Sequence, residues 1–501
     1  MAARPLLLSV AASLALVALA CDGGGSSGSA STAAGVTSST GPAPLTSAAP
    51  ALQARPLAPL HTEGPRLRDD QGRVVLLRGV NYSERSKTPP FTGWHLAGNA
   101  PLFRECGCGG VRYLLVWEAV EPQPGAYDQA YLDETRRQLD LLAANGVRVI
   151  LDFHQDLWAR TFGGDGAPAW ATQDDPRFPN TPLPHPTNYA NPDVLANFHR
   201  FWRDANLKAH YRDAWLATIA ALGAHPAVIG FDLMNEPFMG FELPGDFDRG
   251  TLSDFWEFLI PAVQAVAPDA LIFVEPNPTT GFGVAPDLRP LPFPNLVYAP
   301  HWYDPVVDAR RMGGLHPWDG QSKARTAVGL GAHVQQAARL GDVPFFLGEF
   351  GTELDNQPDG HAYIRDHVDV LNDLLIGGAL WEWNANDPHD WSPVGPGLVE
   401  KPALPSIARP YPVATAGLLR RVVFDEATRA LEVTFDEDPL VTPGALTEIA
   451  LAARFWSPNG VVVESTDPTG SWAHELDPAT GRLLVKSDPA SPTHTLRVRA
   501  R

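Results

Sequence analysis

Residues 228–237 read VIGFDLMNEP, an apolar run that ends in the polar pair Asn235 and Glu236. An unbroken apolar run of this length is typical of a strand buried on both faces, whereas a half-exposed strand alternates apolar and polar residues. Further runs of this kind recur along the chain, separated by segments long enough for a helix. The eight predicted strands lie at 74–81, 111–117, 148–154, 228–236, 271–276, 296–303, 344–350 and 378–384.

The segments between these runs have helical character. Over residues 128–146, Leu132, Leu139 and Leu142 recur on one helical face, and Gly146 suits a helix C-cap. The repeated alternation of strand and helix predicts an α/β fold, a (β/α)8 TIM barrel over residues 59–408. A doubly wound open sheet is the main rival, but no predicted strand is followed by a Gly-rich phosphate turn.

A different pattern begins at residue 409. Short runs of alternating apolar and polar residues are separated there by turns rich in Gly, Pro and Asp. This pattern predicts a small C-terminal antiparallel β-sandwich domain over residues 409–501. It contains a predicted hairpin at 420–437, followed by strands at 449–456, 461–466, 481–487 and 494–500.

The N-terminus has the features of an export signal. Residues 1–20 carry one positive charge, at Arg4, and an apolar stretch that ends in small residues. Cys21 follows directly, which resembles the lipid-attachment site of bacterial lipoproteins and implies a membrane anchor at that cysteine. Ala18 stands where that motif usually has Leu, so the expected location is either the cell envelope, as a lipoprotein, or the secreted fraction. Residues 21–58 are mostly Gly, Ser, Ala, Thr and Pro, which predicts a flexible linker.

The charge and cysteine content exclude several classes of protein. The chain has 38 Lys+Arg and 57 Asp+Glu, a net charge of −19, and no run of basic residues, which argues against nucleic acid as a partner. Its 3 cysteines are too few for a disulfide scaffold. Cys106 and Cys108 are predicted either to form a small loop disulfide or to remain as buried thiols.

Polar and aromatic residues end the predicted strands, and in a barrel these ends converge on the face that holds the active site. Carboxylates and amides can bind sugar hydroxyls while Trp and Tyr stack on pyranose rings, so the set predicts a sugar-binding cleft. The strand-end residues are Asn81, Trp117, Glu118, Asp152, His154, Asp156, Asn235, Glu236, Glu275, His301, Tyr303, Glu349, Trp381, Glu382 and Asn384.

Glu236 and Glu349 are the two carboxylates that best fit glycoside hydrolysis. That reaction needs one protonated carboxyl for the leaving oxygen and one ionised carboxylate that acts on the anomeric carbon. A separation of ~5–5.5 Å leads to retention of configuration through a covalent glycosyl-enzyme, and ~6.5–9.5 Å leads to inversion through water.

Several motifs together resemble the barrel of glycoside hydrolase family 5. They are LLRGVN (76–81), LMNEP (233–237), APHWYDP (299–305), LGEFG (347–351) and LWEWN (380–384). A narrower set resembles the endoglycoceramidases and related glycosylceramidases of that family, which cleave the bond between glycan and ceramide. This set comprises SERSKTPPF (83–91), VILDFHQDLWA (149–159) and TEIALAARFW (447–456).

The resemblance implies a role for each residue that matches a family motif. Glu236 would be the acid/base and Glu349 the nucleophile. Asn235 would bind the sugar 2-hydroxyl, Tyr303 would orient the nucleophile, and His301 would support the acid/base.

The remaining implied roles concern the sugar and the charge of the nucleophile. His154 and Asp156 would hold the sugar at the −1 subsite, above a stacking floor formed by Trp381. Lys87 would contact the glycan, and Arg112 would keep Glu349 ionised from below. One departure is Gly110, where the family usually has Asn.

The loop after Glu236 is rich in apolar residues: Phe238, Met239, Phe241 and Leu243. These side chains are expected either to line a groove for ceramide chains or to pack against the loop itself.

The resulting prediction is an exported, membrane-tethered, retaining glycosidase that acts on glycosphingolipids and needs no cofactor or metal. An endo-β-glucanase on soluble polysaccharide and an exo-acting glucosyl- or galactosylceramidase are alternatives within the enzyme class. A non-catalytic glycan-binding lipoprotein is another alternative. A metal-dependent hydrolase that uses His154, Asp156 and His301 is the last.

Overall fold

The computed structural model describes residues 39–40, 52–93, 95–173, 187–312, 318–354, 360–386 and 390–501. The predicted export signal, Cys21 and most of the predicted linker lie outside this part of the chain. Within it, no helix is long and apolar enough to cross a membrane.

Eight parallel strands form the barrel sheet, each corresponding to one predicted strand. Most of their residues are buried, because one face of the sheet is covered by helices and the other faces the barrel interior. In chain order they are Arg78–Tyr82, Gly110–Val116, Arg148–His154, Val228–Asp232, Leu271–Val274, Leu296–Tyr298, Phe346–Phe350 and Gly377–Trp383, numbered below as the first to the eighth barrel strand.

The sheet closes between the sixth and seventh barrel strands. The remaining neighbours pair in parallel, in the order sixth, fifth, fourth, third, second, first, eighth, seventh. Across the closure, the Tyr298 amide donates to the Pro344 carbonyl and the Gly348 amide to the Pro300 carbonyl, both at 2.9 Å. The predicted (β/α)8 barrel is therefore confirmed.

Helices surround this sheet, as the periodicity of the connecting segments predicts. In Gln129–Ala144 the Asp128 side chain caps the first turn by accepting from the Tyr131 amide, and Leu132, Leu139 and Leu142 are buried. The other α-helices are Leu96–Glu105, Trp117–Val120, Pro192–Arg203, Ala205–Thr218, Pro244–Phe247, Ser253–Val266, Pro305–Met312, Ser322–Arg339, Gly360–Leu374, Leu404–Ile407 and Ala453–Trp456. Shorter 3₁₀ turns lie at Arg160–Phe162, Ala169–Ala171, Thr187–Ala190, Pro278–Phe282 and Pro396–Leu398, and π-helical turns at Ile219–Gly223 and Asp248–Leu252.

Two antiparallel sheets form the C-terminal unit, so the predicted sandwich is also confirmed. Their shared core contains Val433, Phe435, Ile449, Val485 and Leu496. The five-stranded sheet runs in the order Ser39–Thr40, Val461–Ser465, Thr493–Ala500, Ala430–Asp436, Leu418–Asp425. The seven-stranded sheet runs in the order Leu60–Glu63, Arg66–Asp69, Val74–Val75, Tyr411–Thr415, Thr447–Ala450, Arg482–Lys486, Ala473–Asp477. A separate two-stranded ribbon joins Val394–Gly395 to Val399–Glu400.

The strands within residues 60–75 belong to a different unit from the one that the sequence predicts. The boundary at residue 59 groups them with the barrel, whereas their strands join the seven-stranded sheet, with Val75 opposite Ala414. Leu60 and Leu67 of this sheet pack in one apolar cluster with Ile150, Phe273 and Phe346. Ile150, Phe273 and Phe346 belong to barrel strands, so the sheet covers the amino-terminal end of the barrel. We call this end the floor of the barrel.

Two smaller sequence predictions in this part of the chain need correction. The run at 449–456 does not form one strand, because Ala452 adopts a left-handed backbone (φ 45°) and residues 453–456 turn into a short helix. Ala473–Asp477 is a further strand that the sequence does not predict.

Cys106 and Cys108 are free and buried, which selects the thiol alternative. Burial raises the pKa of Cys108 to about 12.

A Gly79→Ala substitution should destabilise the barrel strongly. A Cβ atom at Gly79, on the first barrel strand, would lie 1.7 Å from the Gly110 carbonyl oxygen of the neighbouring strand. Because neither backbone can yield without breaking sheet hydrogen bonds, we expect a loss of about 3 kcal/mol or more in the free energy of unfolding. Urea denaturation measures it.

Gly331→Ala is the matched control. Gly331 lies inside the helix Ser322–Arg339, and nothing lies within 4 Å of the point that an added Cβ would occupy. Replacing a helical glycine by alanine should raise stability by about 0.5–1 kcal/mol. Equal midpoints for the two variants would contradict this account of the strand contact.

Candidate active site

The barrel brings Glu236 and Glu349 together at the carboxyl ends of its strands. One carboxylate oxygen of each lies within 4.8 Å of the other and of a ring nitrogen of His301. Facing oxygens this close agree with the ~5–5.5 Å between carboxyl groups in retaining enzymes, whereas inverting enzymes keep ~6.5–9.5 Å between them to seat a water. The geometry therefore fits retention through a covalent intermediate.

Glu236 follows the fourth barrel strand in a strained conformation, with φ at 43°. The Glu275 carboxylate accepts from the Glu236 amide at 2.8 Å. The Gln155 side chain donates to the carbonyl oxygens of Asn235 and Glu236 at 3.0 and 2.9 Å. These contacts hold a left-handed backbone that a non-glycine residue rarely adopts, and they direct the carboxylate into the cleft.

Glu349 lies on the seventh barrel strand, where three groups contact its carboxylate. Arg112 Nη1 donates to Oε1 at 2.9 Å and the Tyr303 hydroxyl donates to Oε2 at 2.7 Å. His301 Nδ1 is 3.4 Å from Oε2. Burial raises the pKa of Glu349, although the charges of His301 and Arg112 and the Tyr303 hydrogen bond act in the opposite direction. Arg112 thus favours the ionised form, as the resemblance implies, but burial outweighs it.

Arg112 is the central cation beneath the site. Its guanidinium is fully buried on the second barrel strand and contacts the carboxylates of Asp152, Asp232, Glu275 and Glu349 at 3.0, 2.8, 2.9 and 2.9 Å. Burial raises the pKa of Asp152 well above its usual range and that of Glu275 to about 7. The side-chain oxygens of Asn81 and Asn235 accept from the same guanidinium at 3.0 and 2.8 Å.

His301 bridges Glu236 and this buried network. Its Nδ1 is 2.9 Å from Glu236 Oε1, and its Nε2 is 3.2 Å from Glu275 Oε1. Burial acts to lower the pKa of His301, but the surrounding carboxylates, led by Glu275 and Glu349, outweigh it and raise the pKa well above its usual value. We therefore treat His301 as an imidazolium between the two catalytic carboxylates.

The predicted sugar-binding residues form a second cluster beside this pair. His154 stacks on Trp381, with ring centroids 5.3 Å apart and an interplanar angle of 11°. Lys87 Nζ lies 4.5 Å from the Trp381 ring centroid and forms an ion pair with Asp156. Tyr189 donates to the other Asp156 oxygen at 3.1 Å. Burial acts to raise the pKa of Asp156, but Lys87 outweighs it, so the pKa falls below its usual range.

Known protein families share this arrangement of barrel and sandwich. Residues 100–387 match the family described as Cellulase (glycosyl hydrolase family 5), and residues 409–498 match the glycoside hydrolase family 5 C-terminal domain. The chain belongs to glycosyl hydrolase family 5.

The relatives of this family 5 chain include endoglycoceramidases. Endoglycoceramidase I of Rhodococcus hoagii (strain 103S) is 30% identical over 391 residues, which cover 74% of this chain and 76% of that protein. Endo-glycoceramidase II from Rhodococcus sp. in its ganglioside GM3 complex superposes with a TM-score of 0.78 at 29% identity, covering 88% of this chain and 100% of that one. Its lactosyl-enzyme intermediate superposes with a TM-score of 0.75 at 29% identity, with coverage of 87% and 99%.

The apolar loop of the family 5 chain is partly buried, but against other segments rather than against itself, and partly exposed. Phe238 and Met239 are buried, and the Phe238 ring contacts those of Tyr189 and Phe198 with centroids 4.9 and 5.7 Å away. Phe241 and Leu243 are 42% and 54% exposed. The first pair therefore packs against the barrel, and the second faces solvent.

Among the residues that the structure describes, two groups of side chains have the spacing of metal ligands: His154 with Asp156 and Asp165, and Glu236 with His301 and Glu349. Neither is the set His154, Asp156 and His301 of the metal-dependent alternative. In the first group the Lys87 ammonium is paired with Asp156 and lies 3.7 Å from Asp165. In the second, Arg112 contacts Glu349. These positive charges oppose the binding of a metal cation.

Several residues that shape the family 5 site have no assigned role in the sequence prediction. The sequence identifies Glu275 as a strand-end carboxylate, but it does not predict the contacts of this carboxylate with Glu236, His301 and Arg112. Gln155 lies inside the recognised HQD motif, and Asp165 lies in the GGDG turn that follows it.

Tyr303→Phe should shift the pH dependence of hydrolysis. The nucleophile attacks as a carboxylate, so the acidic limb of kcat/KM follows the ionisation of Glu349. Removing the hydroxyl removes a bond to the ionised form, which raises the pKa of Glu349 further and moves the acidic limb to higher pH by about 1 unit. We expect kcat/KM at the optimum to fall about 10–100-fold. A pH–rate profile on an aryl β-glycoside measures both effects.

Tyr298→Phe provides the control for this experiment. The Tyr298 hydroxyl is also buried and bonded, but to His333 Nδ1 at 2.8 Å rather than to a catalytic carboxylate. Its profile should keep the wild-type acidic limb. An unchanged limb in the Tyr303 variant would remove the role assigned to that hydroxyl.

Proposed function

We propose that this family 5 protein is a retaining endoglycosidase that releases intact glycans from glycosphingolipids by cleaving the bond to ceramide. The observation that carries the proposal is the close pairing of Glu236 and Glu349 in a chain that matches 99–100% of the length of endo-glycoceramidase II, both domains included. The solved structures of that relative, a ganglioside GM3 complex and a lactosyl-enzyme intermediate, support the substrate class and the covalent route.

In the first step, Glu349 attacks the anomeric carbon and the bond to the ceramide oxygen breaks. Glu236 donates its proton to that oxygen, so ceramide leaves as a neutral alcohol and the glycan remains as an ester of Glu349. Arg112 and Tyr303 hold the two oxygens of the nucleophile in position by their hydrogen bonds.

In the second step, a water molecule attacks the same carbon and the ester to Glu349 breaks. Glu236, now ionised, takes the proton of that water, which returns both carboxyls to their starting states. His301 Nδ1 lies 2.9 Å from Glu236 Oε1, close enough to hold that carboxyl in position. The Asn235 amide donates to the Gln155 carbonyl at 3.0 Å and has a second hydrogen for the sugar 2-hydroxyl.

The lipid portion of the substrate is assigned to the exposed end of the apolar loop. The leaving group lies on the acid/base side of the cleft, and Phe241 and Leu243 follow Glu236 within seven residues. Their exposed side chains offer apolar contact to the ceramide chains that a soluble polysaccharide would not use.

Incubation with a ganglioside, with glucosylceramide and with a soluble β-glucan tests the proposal. We expect intact oligosaccharide and ceramide from the ganglioside. Release of monosaccharide alone from glucosylceramide would identify an exo-acting enzyme, and cleavage of the glucan alone would identify an endo-β-glucanase.

Glu236→Gln and Glu349→Gln should each lower kcat by about three orders of magnitude or more.

Two further comparisons make the role assignment specific. On an aryl glycoside whose leaving group needs no proton, Glu236→Gln should still form the glycosyl-enzyme and accumulate it, whereas Glu349→Gln should not. Glu242→Gln is the matched control, because Glu242 lies on the same loop but pairs with Arg203 at 2.9 Å. Full activity of either catalytic variant would refute the assignment.

We also propose that the enzyme is exported and anchored through a lipid on Cys21. The apolar signal-like segment that directly precedes this cysteine supports the proposal. Cys21→Ser should move the protein from the membrane fraction of a bacterial host to the soluble exported fraction, and Cys106→Ser should leave it in the membrane. A soluble wild-type protein would instead indicate ordinary signal cleavage.

A further inference from the structure

Arg78 is a buried cation on the floor of the barrel. It begins the first barrel strand, is 8% exposed, and lies over the Tyr411 ring at 5.0 Å from the centroid. Its Nε and Nη2 atoms are buried and have no hydrogen-bond partner in the described part of the chain. Across the same residues, none of the ion pairs includes Arg78.

A small cavity of about 30 Å³ borders this guanidinium. Arg409, on the segment that enters the C-terminal sheet, lines it from the other side, and its Nε is also buried without a partner among the described residues. The remaining Arg409 nitrogens are occupied by Asp369 at 2.7 Å and Glu426 at 2.9 Å. No carboxylate lines the cavity in that part of the chain, so two guanidinium groups with available N–H donors share one small space.

In the described part of the chain no carboxylate contacts Arg78 directly, and Asp369, which pairs with Arg409, acts on its pKa from a distance. Burial, with Arg409 adding to it, lowers the pKa of Arg78 to about 10, which still leaves the group charged at neutral pH. Cys106 and Cys108 also line the cavity, but burial raises the pKa of both thiols and keeps them neutral. A buried guanidinium with unmade hydrogen bonds and no direct ion pair is unfavourable, and a bound anion would accept from its free N–H groups.

We propose that this cavity binds a single small anion of the halide class, chloride in the native setting, held between Arg78 and Arg409. Its volume exceeds the roughly 10–15 Å³ that one water molecule needs, which leaves room for a halide ion and favours it over the larger sulfate, phosphate and organic carboxylates. The anion would connect the first barrel strand to the start of the C-terminal sheet and so stabilise the contact between the two units.

Thermal unfolding of the full chain tests this site. Sodium gluconate, whose anion is too large for the cavity, is replaced stepwise by sodium chloride at constant ionic strength. The unfolding temperature should be constant well below the Kd for chloride and then rise with the logarithm of the chloride concentration, by about 3 °C when chloride is about a hundred times its Kd. Bromide should act in the same way. An unfolding temperature that does not depend on chloride would mean that the cavity holds water only and would overturn the proposal.

Arg78→Met keeps an unbranched apolar stem but removes the guanidinium and its charge, so the unfolding temperature of this variant should no longer depend on chloride. Arg420→Met is the matched control, because the Arg420 side chain is 51% exposed on the C-terminal unit, and it should keep the wild-type dependence. The same chloride dependence in both variants would overturn the proposal.

A wild-type crystal soaked in bromide gives a test that does not require the variant to fold. An anomalous peak beside the Arg78 guanidinium supports the site. Peaks on the protein surface alone, with none in this cavity, would indicate an adventitious ion only and would overturn it.

Discussion

The active site depends on one buried cation. The Arg112 guanidinium lies among the carboxylates of Asp152, Asp232, Glu275 and Glu349, which come from the third, fourth, fifth and seventh barrel strands. Without it, several acidic groups would be confined together in a low-dielectric interior, at a cost of several kcal/mol for each unpaired charge. Because its contacts reach strands around much of the barrel, the same interaction that neutralises the site also fixes the relative positions of its catalytic residues.

The carboxylates of Glu236 and Glu349, the proposed catalytic pair, are coupled to this network in different ways. Glu349 contacts Arg112 directly, while Glu236 is linked to it through His301 and through the Glu275 carboxylate that binds its backbone amide. The closure of the barrel contributes as well, since the Trp302 amide donates to the Glu349 carbonyl at 3.0 Å. Residues 301–303 therefore carry a sheet hydrogen bond and two catalytic contacts within one short segment, which couples folding of the seventh strand to assembly of the site.

The sequence predicts the barrel, the sandwich and the catalytic pair because each depends on a local pattern: unbroken apolar runs, short alternating strands, and carboxylates at strand ends. What it misses depends on distant partners. The run 74–81 is one apolar stretch in the sequence, yet Val75 pairs with Ala414 while Val80 lies in the barrel, a difference decided by residues over 300 positions away. Likewise the fourth barrel strand, predicted over 228–236, ends at Asp232. The left-handed backbone at Glu236 then brings the Glu236 amide to the Glu275 carboxylate, a contact that the sequence does not reveal. Phe238 and Phe241 have the same side chain, but Phe238 is buried against the Tyr189 and Phe198 rings whereas Phe241 is exposed.

The sheet that seals the barrel floor also determines where the chain would hang from a membrane. Pro56 and Ala58 lie at the floor, where the Ala58 carbonyl accepts from Arg148, whereas Glu236 and Glu349 open at the opposite end. An enzyme held at Cys21 would thus be suspended from the side away from its mouth. Ser39 and Thr40 already pair with Ser465 and Glu464 of the C-terminal unit, so the stretch between the anchor and the folded body runs from 21 to 39. At about 3.5 Å per residue it reaches roughly 60 Å when fully extended. A tether of that reach would let the molecule tilt on its anchor, and shortening it to a few residues would leave a competent enzyme facing away from its substrate.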